Sequence, residues 1–327
     1  MKTLIPIVLI FLLSGCSCSE KKQSINTADL PEGIYINPIG GISGIGDPFV
    51  FKHNGKYYMY CTSDAGRGFK AWESVDLVDW SYIGFAFDSR IQEKQWARGS
   101  FWAPEVIFYN HQFYMTYSAR DQSDNKLKIA LARSNHPKGP FMDIQVPVLE
   151  NAYSCIDGHI FIDDDGTPFL YYSKDCSENM IDGNHVSQIY VQQLTLQDLT
   201  PTGEPVLCAE PSQSWEHPQD KWQWNEGPFV LKNNNRYYLM YSANYYASSQ
   251  YSVGYAISSS PLGPWKKSED NPILAGNLSM GVSGPDHNSV TLSPDSTELF
   301  IVYHTHTNPE KPSGNRQPNI DRLFFED

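Results

Sequence analysis

The sequence has no cluster of five or more basic residues, and its 24 Lys and Arg are outnumbered by 37 Asp and Glu, for a formal net charge of −13. A surface that tracks phosphates needs concentrated positive charge, so nucleic acid is excluded as a partner. The chain also lacks an amphipathic helical segment of roughly ten residues or more and any low-complexity linker that would divide it. Its one long apolar run, Leu4 to Leu13, is too short to span a bilayer as a permanent helix. What is present is 40% apolar content, enough for a large core in 327 residues, and 13% aromatics with 20 Tyr, a composition that favours strands. An acidic surface suits an uncharged ligand such as a sugar, bound by stacking and hydrogen bonds rather than long-range attraction.

The first residues carry a separate message. Lys2, the apolar run and the small residues after it have the form of an export signal over residues 1–15. Leu13-Ser14-Gly15-Cys16 resembles the bacterial lipobox, which implies a lipid anchor at Cys16 and a membrane-anchored lipoprotein facing the periplasm or the cell surface. Residues 16–30 are polar and read as a flexible tether. In an exported chain the other cysteines matter. If Asp165-Gly166 is a two-residue hairpin loop, Cys155 and Cys176 stand opposite each other, as a disulfide or as two buried thiols. Cys61 and Cys208 have no evident partner.

From residue 31 onward one plan recurs. Gly46-Asp47-Pro48-Phe49-Val50-Phe51 turns at a polar loop and returns as Tyr57-Tyr58-Met59-Tyr60. Hairpins led by Glu105, Asp157, Glu226 and His287 repeat it. Two further strand-like pieces follow in most copies, among them Lys70 to Ser74 before Asp76 to Trp80, and Gln188 to Gln192 before Leu194 to Leu199. Gly139-Pro140-Phe141 and Gly263-Pro264-Trp265 mark the same turn twice. Four short strands per repeat and five repeats predict an all-β chain folded as a single five-bladed β-propeller over residues 31–327. Ile34-Tyr35-Ile36 is available to complete the last blade.

In a propeller the first strand of each blade lines the central channel, so residues leading the five hairpins converge at one end of it. Asp47, Asp157 and Glu226 are then three carboxyls in one place. Such a set suits hydrolysis of a glycosidic bond: one group stays protonated to assist the leaving oxygen, another stays ionised to activate water, and a neighbouring negative charge raises the acid's pKa.

These motifs together resemble glycoside hydrolase family 43. The matching pieces are Gly46-Asp47-Pro48, Phe101-Trp102-Ala103-Pro104-Glu105, Ile156-Asp157-Gly158-His159, Asn225-Glu226-Gly227-Pro228 and Gly284-Pro285-Asp286-His287, with Arg316 and Asp321-Arg322-Leu323 as a closing signature. The resemblance implies that Asp47 is the general base, Glu226 the general acid, and Asp157 the group that tunes and orients the acid, in an inverting reaction. Trp102 would form part of a sugar platform or pack between blades. Arg316 would contact a sugar hydroxyl or pair with a catalytic carboxylate. His287 resembles the channel histidine that contacts a structural Ca2+ through water. Asp286 stands where the family commonly has glycine, which leaves open whether it strengthens a cation site or faces solvent. The chemistry itself requires no cofactor. Trp222 and Trp224 stand in an insertion-like stretch where they would border the pocket.

The expected substrate is an arabinose- or xylose-containing polysaccharide or oligosaccharide from which pentose units are removed, by an α-L-arabinofuranosidase or a β-xylosidase. An endo-arabinanase of the same fold and a non-catalytic glycan-binding lipoprotein are the alternatives.

Overall fold

The computed structural model describes residues 36–150 and 153–325. The export signal, the Cys16 anchor and the tether lie outside the described residues.

The aromatic hairpins are the inner halves of five radial sheets. Blade 1 comprises Gly46–His53, Lys56–Thr62, Gly68–Ser74 and Ser81–Asp88, each strand antiparallel to the one before. Blade 2 runs through Trp102–Tyr109, Gln112–Arg120, Leu127–Ser134 and Met142–Gln145, and blade 3 through Cys155–Ile162, Pro168–Lys174, Gln188–Leu194 and Pro201–Ala209. Blade 4 is Asn225–Asn233, Arg236–Ala243, Ser252–Ser258 and Lys266–Lys267; blade 5 has, among the described residues, three strands, Asp286–Leu292, Leu299–His306 and Arg316–Leu323. Each innermost strand touches its counterparts in the two neighbouring blades, and blade 5 meets blade 1, so the ring closes. The fold is a single five-bladed β-propeller.

Local chemistry explains the hairpins. Asn54-Gly55, Asn110-His111 and Asn234-Asn235 connect first and second strands as two-residue turns with φ positive at both positions, a conformation asparagine and glycine tolerate. The run Tyr57-Tyr58-Met59-Tyr60 is apolar throughout because both faces of a blade are covered. Val50, Tyr57 and Met59 pack with Phe300, Val302 and Ile320 of blade 5, while Phe49, Tyr58 and Tyr60 face Val106, Met115 and Tyr117 of blade 2. Tyrosine is affordable there because its hydroxyl finds a carbonyl: Tyr60 donates to Pro137 O at 2.5 Å and Tyr171 to Pro261 O at 2.6 Å.

The fourth strands begin later than the sequence pattern suggests. Residues 76–80 form a turn held by Asp76 and Ser74, with the strand following at Ser81, and Leu194–Leu199 gives way to a strand that starts at Pro201. Of the segment expected to complete blade 5, Ile34 and Tyr35 fall outside the described residues and Ile36 is not in a strand. The Asn37 side chain takes the edge instead, donating to Ile320 O at 3.1 Å and accepting from Ile320 N at 2.9 Å.

The disulfide arrangement does not form. In the blade 3 hairpin Asp163 N–H donates to Thr167 O, so Ile162 faces Pro168, and a bulge between Tyr171 and Ser173 then sets Cys155 opposite Lys174. Cys176 lies beyond the end of that ladder as a buried free thiol, as do Cys61 and Cys208 in their own blades.

A five-fold backbone feature organises the channel mouth. Asp47, Ala103, Asp157, Gly227 and His287 all have φ between 46° and 57°, and each sits in a bulge near the start of its innermost strand. For a non-glycine residue that conformation costs on the order of 1–3 kcal/mol, so something must hold it. Ala103 N–H donates to Thr62 Oγ1 (2.8 Å), Asp157 N–H to Ser118 Oγ (2.9 Å), His287 N–H to Ser242 Oγ (3.1 Å), and Asp47 N–H to His304 Nδ1 (3.2 Å). Every acceptor belongs to the second strand of the preceding blade, opposite the residue just before that blade's own bulge. The fifth case differs. Gly227 N–H donates to the carboxylate of Asp157 at 3.0 Å, and Ser173, at the register position of Thr62 and Ser118, keeps a buried hydroxyl without a partner.

Candidate active site

The repeating bulges correct the alignment made on residue type. The structural equivalents are residues 47, 103, 157, 227 and 287, so Glu105 lies two positions past its bulge and Glu226 one position before. Glu105 leaves the set altogether. Its carboxylate is 2.6 Å from His159 Nδ1, and His159 Nε2 accepts from Val230 N at 3.0 Å, so the imidazole proton is on Nδ1 and points at Glu105. This pair ties blades 2, 3 and 4 together. Glu226, by contrast, occupies the position of Gly46, Trp102, Ile156 and Asp286 in the other blades, each opposite the acceptor position on the second strand.

Asp47 is buried at the channel end with its carboxylate among cations and imidazoles. Oδ1 lies 2.8 Å from Arg316 Nη1, 3.5 Å from His287 Nδ1 and 3.6 Å from His304 Nδ1. Burial alone would raise its pKa, but the Arg316 guanidinium, the two histidines and the Thr62 hydroxyl outweigh it and hold the carboxyl well below the usual range. Glycine at position 46 is a steric requirement: a Cβ there would overlap the guanidinium of Arg316.

Glu226 has the opposite surroundings. It is 9% exposed, and its Oε1 accepts a hydrogen bond from Tyr251 at 2.9 Å. Burial, then the charge of Asp157, push its carboxyl well above the ordinary value; the Tyr251 hydroxyl opposes this, and Asp175 and Asp286 add to it. Asp157 is raised to about 6, first by burial, with His287 pulling it down, Asp47 pushing it up and the Gly227 N–H favouring its charged form. The surroundings therefore favour the ionised form of Asp47 and the protonated form of Glu226, with Asp157 between blades 3 and 4. Two buried carboxyls with opposite surroundings thus stand at one channel end.

The remaining predicted residues divide. Arg316 pairs with Asp47, the second of its two expected roles. Trp102 is partly exposed at the register position that Glu226 holds in blade 4. His287 is buried beside Asp47, and Asp286 does not face solvent: it is fully buried, accepts from His287 N at 2.7 Å, and has one carboxyl oxygen without a partner. Calcium takes six to eight oxygen ligands. Among the described residues no group of three or more His, Cys, Asp or Glu side chains converges to hold a metal, and the imidazole of His287 is directed at Asp47. A cation held mainly through water, as the resemblance implies for His287, needs no such group of side chains.

Sequence reasoning missed Tyr251 and His304. His304 was legible in principle, since it follows its aromatic strand at the same offset as Thr62, Ser118 and Ser242. Tyr251 had no such signal; it immediately precedes the third strand of blade 4 and reaches Glu226 only through the fold.

Residues 35–327 match the model of Glycosyl hydrolases family 43. A solved structure described as a thermostable family-43 glycoside hydrolase is 60% identical, with a TM-score of 0.88, covering 90% of this chain and 94% of that one. The Beta-D-galactofuranosidase xynD of Aspergillus niger is 28% identical over 85% of this chain and 79% of its own length. The Extracellular exo-alpha-(1->5)-L-arabinofuranosidase of Streptomyces chartreusis is 26% identical over 83% of this chain and 82% of its own length.

Proposed function

The chain belongs to glycosyl hydrolase family 43 and is a glycoside hydrolase; on that premise we propose that it removes pentose units, α-L-arabinofuranosyl or β-xylosyl, from plant polysaccharides or oligosaccharides with inversion. Glu226 is the general acid, Asp47 the general base, and Asp157 the group that holds and tunes the acid. In the reaction a water attacks the anomeric carbon while Asp47 accepts its proton. The bond from that carbon to the leaving oxygen breaks, and Glu226 delivers its proton to that oxygen. Solvent then returns the proton from Asp47 to Glu226.

The observation that carries this reading is the contrast between two buried carboxyls at one channel end. Asp47 is paired with Arg316 and ionised; Glu226 is bonded to a neutral tyrosine, beside a second carboxylate, and keeps its proton. Asp157 acts on the acid twice, through its charge and through the Gly227 peptide that follows Glu226 directly. Trp102, in the register position of Glu226, supplies a face for the sugar ring, and Arg316 sets the charge of the base. The relatives named for furanosides, an arabinofuranosidase and a galactofuranosidase, favour an arabinofuranosyl unit.

The protein acts outside the cytoplasm, anchored by lipid at Cys16; the apolar run before that cysteine and the extracellular arabinofuranosidase among its relatives support this.

The test is release of nitrophenol from nitrophenyl α-L-arabinofuranoside and β-D-xyloside, with proton NMR of the first-formed sugar. Turnover with an inverted anomeric centre is expected. A wild type that cleaves neither pentoside, or a product that retains configuration, overturns the reading.

A further inference from the structure

A small sheet stands outside the five-blade repeat. The hairpin Met180–Ile181 and Asn184–Val186 leaves blade 3, and Trp222–Gln223 joins its edge in parallel just before blade 4. Its register places His185 opposite Trp222, and the two rings stack with centroids 3.8 Å apart at 3°. His185 is fixed from behind by Nδ1–H donating to Cys176 O at 2.9 Å. Trp224 links this short strand to the Asn225–Asn233 strand of blade 4 and stands two residues from both Trp222 and Glu226.

The rings continue without a break. Trp222 and Trp224 lie 6.3 Å apart at 19°, Trp224 and Tyr245 5.4 Å, Tyr245 and Tyr246 4.7 Å, and the Arg316 guanidinium sits 5.5 Å from the Tyr246 ring. Tyr246 is pinned by its carbonyl, which accepts from His306 Nε2 at 2.9 Å. Despite this support the rings are open to water: Trp222 and Tyr245 are each 44% exposed and Tyr246 40%. An aromatic row whose Trp222, Tyr245 and Tyr246 are exposed and whose His185 and Trp224 are half-buried, joined to an active site, marks a surface that is covered in use.

We propose that His185, Trp222, Trp224, Tyr245 and Tyr246 form a stacking track for several successive sugar units on the leaving-group side of a neutral pentose polysaccharide. The side follows from the acid, because Trp224 stands two residues before Glu226, immediately ahead of its strand, and Glu226 faces the leaving oxygen. The row suits an uncharged chain: it offers flat faces, and of the cations beside it Arg316 is committed to Asp47 while Lys221 Nζ is bonded to Asn184 Oδ1 at 3.2 Å. This inference rests on the proposed function for the identity of the sugar and extends it to chain length.

The experiment compares kcat/KM on arabino- and xylo-oligosaccharides of increasing length with kcat/KM on the aryl pentoside, for the wild type, Trp222→Ala and Trp222→Phe. In the wild type kcat/KM rises with length. In Trp222→Ala the ratio of long chain to aryl pentoside falls about two- to tenfold, through KM more than kcat, and Trp222→Phe restores it. A ratio that stays at the wild-type value, or a wild type indifferent to length, overturns the track. If the wild type cleaves no pentoside, the proposed function fails, and titration of the same oligosaccharides against tryptophan fluorescence still decides the track. Length-dependent quenching lost in Trp222→Ala supports it, and the absence of length dependence overturns it.

Discussion

In the proposed mechanism Asp157 acts on Glu226 by charge and by position, and substitution can separate the two. Asp157→Asn keeps an oxygen that accepts from the Gly227 N–H but removes the negative charge. A nearby like charge is worth roughly 1 to 3 pKa units, or about 1.4 to 4 kcal/mol. The sign follows from the order of titration. Above about pH 6 Asp157 is ionised in the wild type and keeps the proton on Glu226; below it Asp157 is neutral and exerts little field. The asparagine variant should therefore approach wild-type kcat/KM at low pH and lose activity as pH rises, its alkaline limb displaced downward by about 1 to 2 units, with burial still keeping Glu226 above the ordinary value. Asp157→Ala goes further, because the buried Gly227 N–H loses its acceptor, a loss of about 1 to 3 kcal/mol. It should be slower than the asparagine variant at every pH, unless the free hydroxyl of Ser173 takes over that N–H. The assay is the pH dependence of kcat/KM on one aryl pentoside. An asparagine variant with a uniformly lowered profile of unchanged shape would refute the electrostatic role and leave Asp157 as a holder of the backbone alone.

Two other perturbations test the surrounding framework. Gly46→Ala drives a methyl into the Arg316 guanidinium and parts it from Asp47. Burial then raises Asp47, so the acidic limb of kcat/KM should move to higher pH by about 1 to 3 units, visible in the same pH series. Lys267→Met leaves Glu216, whose side chain is fully buried, without its ammonium partner at 2.5 Å, and removes a bond to Asn225 beside the acid. Breaking such a pair costs about 3 to 5 kcal/mol, to be read as a lower urea midpoint at unchanged slope.

Much of the architecture was legible because propeller blades repeat both a backbone and a composition. Asn-Gly turns and runs such as Tyr57 to Tyr60 mark inner hairpins wherever both faces of a sheet are buried. The alignment slipped by one residue at Gly227 and by two at Ala103 because acidic residues were matched to each other. The backbone repeats the bulge, and Pro48, Pro104 and Pro228, each directly after a bulge residue, were its signal in three blades. The Cys155–Cys176 pairing failed for a similar reason: a three-residue loop tip and a bulge at Tyr171 each shift register by amounts that residue type does not reveal. The sheet that carries His185 and Trp222 has strands of two and three residues, too short for periodicity. Tyr251 and Ser173 act through tertiary position, one by reaching Glu226 and the other by what Asp157 takes from it.

The central claim is that Glu226 gives its proton to the leaving oxygen, and the dependence of its loss on leaving-group acidity tests that most directly. Rates of wild type and Glu226→Gln are compared on pentosides from activated dinitrophenyl to unactivated alkyl. Removing a general acid costs about 10²- to 10⁴-fold where the leaving group needs protonation. The variant should lose activity on that scale with the alkyl pentoside and retain most of it with the dinitrophenyl pentoside. An equal loss across the series would contradict the assignment of Glu226 as the acid.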